Sequence, residues 1–207
     1  MKINPDIVYY IEKEIIPSYD NFDAAHQRDH VNMVIQQSLE IAEHLDVDMD
    51  IVYVIAAYHD TGLCEGREHH HKVSSQIIKS DKNLRKWFTE EQIQTMADAA
   101  EDHRASAKHE PRTIYGRIVA EADRFIDPET IVKRTIQYGL DHYPELSKEQ
   151  QYDRMMQHLH EKYGRNGYLK LWFPNSPNST RLEKLRQMID NETEIKKIFE
   201  DFFNFAK

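Results

Sequence analysis

The chain has 207 residues, room for one domain or one domain with an appendage. A hydrophobic fraction of 40% and a charged fraction of 30% exclude a disordered polymer, and a net charge of −9 argues against a grip on a nucleic-acid backbone. A single cysteine, Cys64, excludes an intrachain disulfide framework and a cysteine zinc finger.

Only six glycines and seven prolines interrupt the chain, so long helical segments are expected rather than many short strands. Ile7, Val8, Ile11, Ile15 and Ile16 mark a helical stripe from Asp6 to Ile16, opened by Pro5 and stopped at Pro17. Ser18 to Ala25 reads as a polar connector. The pattern resumes at Asp29, a candidate cap, which puts His30 in the first turn and His26 in the lead-in. The next helix, with Asp50 as its expected cap, is the most apolar stretch of the chain. Ile51 to Tyr58 runs without a break into His59 and Asp60, and Gly62 closes it. Gly62 to Glu68 reads as a loop and His69 to Ser80 as a helix. Thr89-Glu-Glu-Gln92 is a capping box that opens a helix to about Asp102. His103 to Pro111 is a loop. Thr113 to Phe125 is a helix with Ile114, Ile118, Val119, Ala122 and Phe125 inward. Asp127-Pro128 restarts a helix on Ile131, Val132, Thr135 and Ile136. Ser147 caps another to Tyr163, Gly164 to Thr180 is a loop, and helices over Arg181–Asp190 and Glu192–Phe205 close the chain. No segment alternates like a strand. The expected architecture is an all-α helical bundle forming a single domain over 1–207, with its core at about 20–140 and a helical extension at about 145–207.

An acid and an imidazole at the end of so apolar a run sit deep, and a buried charge without a partner costs several kcal/mol. A cation is one solution. His59 and Asp60 differ by about 100° in direction, so they can close on a point from two sides. His30 and Asp123 stand at the ends of neighbouring helices and complete a set of two imidazoles and two carboxylates. Mixed nitrogen and oxygen donors suit a six-coordinate divalent ion such as Mn²⁺, Fe²⁺, Co²⁺, Ni²⁺ or Mg²⁺, with Mn²⁺ or Fe²⁺ preferred; Zn²⁺ favours four ligands.

Three blocks carry a resemblance. His30-Val-Asn-Met-Val34, then His59-Asp60, then Ala122-Asp123-Arg124 resembles the H…HD…D signature of the HD-domain metal-dependent phosphohydrolases. Asp23-Ala-Ala-His26-Gln-Arg-Asp-His30-Val31 and Tyr115-Gly-Arg-Ile-Val-Ala-Glu-Ala-Asp123-Arg124 are similar to a bacterial single-domain branch. The resemblance implies an all-α fold, a divalent metal on His30, His59, Asp60 and Asp123, and hydrolysis of a phosphate ester or anhydride by a metal-activated water, with Asp60 helping to orient it. It implies a small phosphorylated substrate, nucleotides included. Leu63 stands where a nucleotidase branch has a glutamate, and Asp60-Thr61-Gly62-Leu63 departs from the HD-GYP pattern. Two-metal members carry extra histidines between HD and the last aspartate. His70 and His103 are the candidates here, for a second metal or for catalytic contact with substrate phosphate alongside Arg67, Arg104 and Lys72. A di-iron oxygenase on the same scaffold and a metal-stabilised binding module are the alternatives. No apolar run reaches the ~18–20 residues of a membrane span. The N-terminal residues lack a signal-peptide core, so a cytoplasmic protein without membrane or nucleic-acid partners is expected, and a homodimer is compatible.

Overall fold

The computed structural model describes residues 3–23, 26–104 and 109–205. Among these residues every regular element is helical, and the chain divides into two compact units, one ending at Arg124 and the other starting at Phe125. The first unit holds α1 (Pro5–Tyr10), α2 (Arg28–Ala42), α3 (Met49–Tyr58), α4 (His70–Ser80), α5 (Glu90–Asp102) and α6 (Ile114–Asp123). The second holds α7 (Pro128–His142), α8 (Lys148–Tyr163), α9 (Pro177–Asp190) and α10 (Glu192–Phe205). This division falls earlier than the expected end of the core near residue 140, because α7 packs with α8, α9 and α10.

The first unit is built around α3. Every side chain from Ile51 to Tyr58 is buried. A helix apolar on all sides needs neighbours on all sides, and α2, α5 and α6 supply them. Its cap is Asp48, not Asp50: the Asp48 carboxylate accepts the Asp50 N–H at 2.9 Å and the Ile51 N–H at 3.5 Å. Asp50 instead accepts the Asn4 N–H at 2.8 Å and ties the start of α1 to α3. Local spacing cannot separate the two acids; the long-range bond does. Likewise α2 begins at Arg28 with Gln27 in the cap position, so Asp29 lies within the first turn beside His30.

Pro17 does not end the N-terminal helix. The chain passes from α1 into a π-helical turn at Ile11–Ile15 and a 3₁₀ segment at Ile16–Asn21. Proline lacks the N–H that an α-helix would use, and a change of winding absorbs the loss. The segment expected to be a connector therefore carries a fully buried residue, Tyr19. Ala24 and Ala25 of the lead-in motif, and residues 105–108 of the expected loop after His103, lie outside the described residues.

After Asp60 the chain forms a short 3₁₀ helix, Thr61–Glu65, and turns at Gly66 with φ +99°. Gly62 lies directly against the start of α4. Its N–H donates to Ser74 Oγ at 2.9 Å, and a Cβ there would meet the His70 carbonyl oxygen at 2.0 Å. Thr89 and Gln92 form the expected capping box on α5. In α6 the buried face is Gly116 and Ile118 to Ala122, while Ile114 is 40% exposed and so faces solvent rather than the core. Phe125 lies past the helix end and is exposed too.

The second unit has its own core, with Val132, Ile136, Met155, Leu159, Leu185 and Phe199 at its centre. Asp127 caps α7, and Ser147 caps α8 with Gln150 returning the bond. Helix α9 starts at Pro177 rather than Arg181, since Ser176 caps it and proline suits its first position. Among the described residues no helix is long and apolar enough to cross a membrane.

Gly62→Ala should therefore destabilise the protein by about 3 kcal/mol or more, because the added methyl meets backbone that cannot swing aside. Chemical denaturation followed by circular dichroism measures this; a change below about 1 kcal/mol would mean that α4 yields easily.

Candidate metal centre

The end of α3 delivers His59 fully buried, and Asp60 follows with 4% exposure. Tyr19 anchors this corner. Its hydroxyl donates to the Ala57 carbonyl at 2.9 Å and accepts the Asp60 N–H at 3.3 Å. The imidazoles are oriented by a repeated device. His59 Nδ1 lies 2.7 Å from the Ala56 carbonyl, His103 Nδ1 2.6 Å from that of Ala100, and His70 Nδ1 2.8 Å from that of Arg67. Facing a carbonyl, Nδ1 must carry the proton, which leaves Nε2 of each ring as the atom turned to the centre.

Those Nε2 atoms converge on the two oxygens of Asp60. Oδ2 lies 3.3 Å from His59 and 3.5 Å from His30. Oδ1 lies 3.4 Å from both His70 and His103. The imidazoles also meet each other: His30 and His59 approach to 3.3 Å through Nε2, and His70 and His103 to 3.2 Å. Asp123, at the end of α6, places Oδ1 3.2 Å from His30 and 3.8 Å from His59. Two donor groups thus share one carboxylate: His30, His59 and Asp60 on one side, Asp60, His70 and His103 on the other. Within each group the ligand atoms lie within 4.8 Å of one another.

This arrangement asks for positive charge. The Nε2 lone pairs of His70 and His103, both with Nδ1 as donor, would repel at such a distance unless a proton or a cation lies between them. Burial opposes ionisation of Asp60, but His59, His103 and His30 outweigh it and hold the carboxyl far below its ordinary range. Asp123 is lowered as well: burial works against its charge, and His30, His59 and His103 overcome it. Burial alone would lower His30; its bonds to Asp123 and Asp60 push it up to about 9 instead. His103 is raised against burial by Asp60. His70 is lowered, first by burial and then by the nearby His103 despite the opposing Arg67 carbonyl and Asp60. Nitrogen and carboxylate donors in this mixture fit divalent first-row cations on either side of Asp60.

The sequence model of the HD domain matches residues 28–126, from the start of α2 to just past α6. The chain carries an HD domain. The crystal structure of a predicted HD superfamily hydrolase from an uncultured Thermotogales bacterium has a similar fold, with a TM-score of 0.50 and 19% sequence identity over 75% of this chain and 87% of that one. The comparison with curated proteins found no match.

Within this HD domain the structure brings His30, His59, Asp60, His70, His103 and Asp123 together. The two arginines expected at substrate stand at its margin. Arg67 reaches His26 at 3.1 Å and Asp23 at 3.5 Å, and the His26 ring packs edge-on against His30. Arg104 donates to the Glu68 carbonyl at 2.8 Å, and its charge acts on both His70 and His71. Two supports carry no signal in local spacing. Tyr19 is one. The other is buried Asp102, beside His103, which accepts from the Arg112 backbone at 2.7 Å and from its guanidinium at 2.8 Å.

Tyr19→Phe leaves the Asp60 N–H and the Ala57 carbonyl buried without their partner and should cost about 1–3 kcal/mol. Denaturant melts of metal-free protein test this, and a loss within error would remove Tyr19 from the support of the site. In that same metal-free state His30 is protonated below about 9, so a cation must displace its proton. Cation affinity should rise with pH until about 9 and then level off. Calorimetry of Mn²⁺ binding near neutral pH, in buffers of different ionisation enthalpy, should report release of at least one proton. The sign reverses for folding without metal: the stabilisation contributed by His30 is complete below about 6.5 and fades as pH climbs through about 9.

Proposed function

We propose that this HD-domain protein is a cytoplasmic, metal-dependent phosphohydrolase that uses two divalent cations and acts on a small phosphate ester or anhydride, nucleotides among the candidates. The observation that carries this reading is the sharing of Asp60, one oxygen toward His30 and His59 and the other toward His70 and His103. His30, His59 and Asp123 would hold one cation with Asp60, and His70 and His103 the other. Bound there, such ions supply Lewis acidity toward a phosphoryl oxygen and lower the pKa of water. The side chains do the rest. Tyr19 and the Ala56, Ala100 and Arg67 carbonyls fix the donor atoms in advance, so little reorganisation is needed at the moment of reaction. Burial of His59, His103 and Asp60 keeps bulk water from the inner wall. Arg104, and Arg67 through a swing away from Asp23, supply guanidinium forks that suit phosphate oxygens.

The test is elemental analysis together with phosphate release from a panel of phosphorylated metabolites in Mn²⁺. Wild-type protein should hold about two equivalents of metal. Asp60→Ala should lose both, with activity down by roughly 10³-fold or more. His103→Ala should keep the ion on the His30 side and lose the other. Arg104→Ala should raise KM more than it lowers kcat. Metal-loaded protein that releases no phosphate, or that consumes oxygen with Fe²⁺ instead, would overturn the assignment.

A further inference from the structure

We infer that the second unit carries a separate binding pocket for a ligand of the mononucleotide class, a planar ring bearing a phosphate. A cavity of about 430 Å³ opens between α7 and α8, lined by Arg134 and Tyr138 of α7, Arg154 and His158 of α8, Phe125 and Tyr163. Residues 131, 134, 135 and 138 are spaced by three and four, so α7 offers one continuous stripe to it; 154 and 158 do the same on α8.

Three observations define the ligand. The first is charge. In a chain of net charge −9, no acidic side chain lines this cavity among the described residues. Several arginines elsewhere meet acids: Arg28 on Asp20, Arg85 on Glu90, Arg112 on Asp98, Glu101 and Asp102. Arg154 instead donates to two neutral oxygens, the Thr135 carbonyl and Gln151 Oε1. Arg134, exposed, forms no ion pair among the described residues. His158 is lowered by burial and then by the positive charge of Lys162 and Arg154, against Glu161, so the local field is cationic. Two guanidinium groups without carboxylates match a dianion such as phosphate better than a single carboxylate.

The second observation is the aromatic wall. Phe125 and Tyr138 are 43% and 50% exposed and both border the cavity, so apolar ring surface lies beside the two guanidinium groups; Arg181 adds a third cation 5.4 Å from the Phe125 ring centre. His142 stacks on one face of Tyr138, with ring centres 4.0 Å apart, and the Arg154 guanidinium sits 5.9 Å from the ring centre, so the Tyr138 ring is held in place at the cavity edge beside the cation. The third is size. A volume of about 430 Å³ lies at the small end of the range for ligand pockets, room for one ring system and one phosphate rather than a dinucleotide.

This inference stands apart from the hydrolase reading, and its test is run so that the two fail separately. Full-length protein is stripped of metal and kept in chelator, and AMP, UMP, ribose 5-phosphate and inorganic phosphate are titrated by calorimetry. Saturable binding of AMP is expected, with ribose 5-phosphate weaker because it lacks the ring. Arg134→Glu and Tyr138→Ala change exposed side chains and should preserve the circular dichroism spectrum and the thermal transition. Each should weaken AMP by roughly tenfold, about 1.4 kcal/mol. Neither should alter the metal content of protein reloaded with Mn²⁺. No saturable binding of either nucleotide, affinity unchanged in both variants, or inorganic phosphate binding as tightly as AMP would each overturn the proposal.

Discussion

A single carboxylate, deep in an apolar core and facing four imidazoles, is the constraint on which the first unit rests. A charge at the depth of Asp60 costs several kcal/mol unless it is compensated. Its compensation comes from four directions: α2 through His30, α3 through His59, α4 through His70 and the end of α5 through His103. The helices are therefore held to one another by an electrostatic centre as well as by packing. The same demand explains the rigidity around it. Each ring that is tied to a carbonyl three residues earlier in the chain has lost its freedom to turn, and the Asp60 backbone is tied to Tyr19.

Pairing at the centre is unequal without metal. The His30 side has Asp123 as well as one oxygen of Asp60, and the His30 imidazole is pushed toward the charged form; the other side has only the second oxygen of Asp60, which raises His103 while burial lowers His70. The two donor groups therefore differ in charge although they share a ligand, a basis for unequal affinities.

Much of this was legible in the chain. The all-α class followed from scarce turn residues and periodic apolar spacing. His59 and Asp60 stood out as polar residues closing a helix too apolar to be elsewhere than in a core, and His30 and Asp123 as polar residues near the ends of helices with one apolar face; the matched HD span contains all four. What could not be read depended on distance in sequence. Tyr19 follows a proline in a polar stretch, and only the change of winding after Tyr10 turns it inward. Asp48 and Asp50 are equivalent as caps until Asn4 engages one of them. Arg112 finds Asp102 across ten positions without any periodic cue. Phe125 looked like the last inward residue of α6, but the helix ends two residues before it and the ring is left outside.

The Arg112 clasp has a dynamic corollary. Helix ends fray before their middles, and His103 stands at the C-terminal end of α5. By bonding Asp102 through its backbone N–H and its guanidinium, Arg112 holds that last turn shut. Breathing at the end of the helix is thereby kept from reaching the imidazole that faces Asp60.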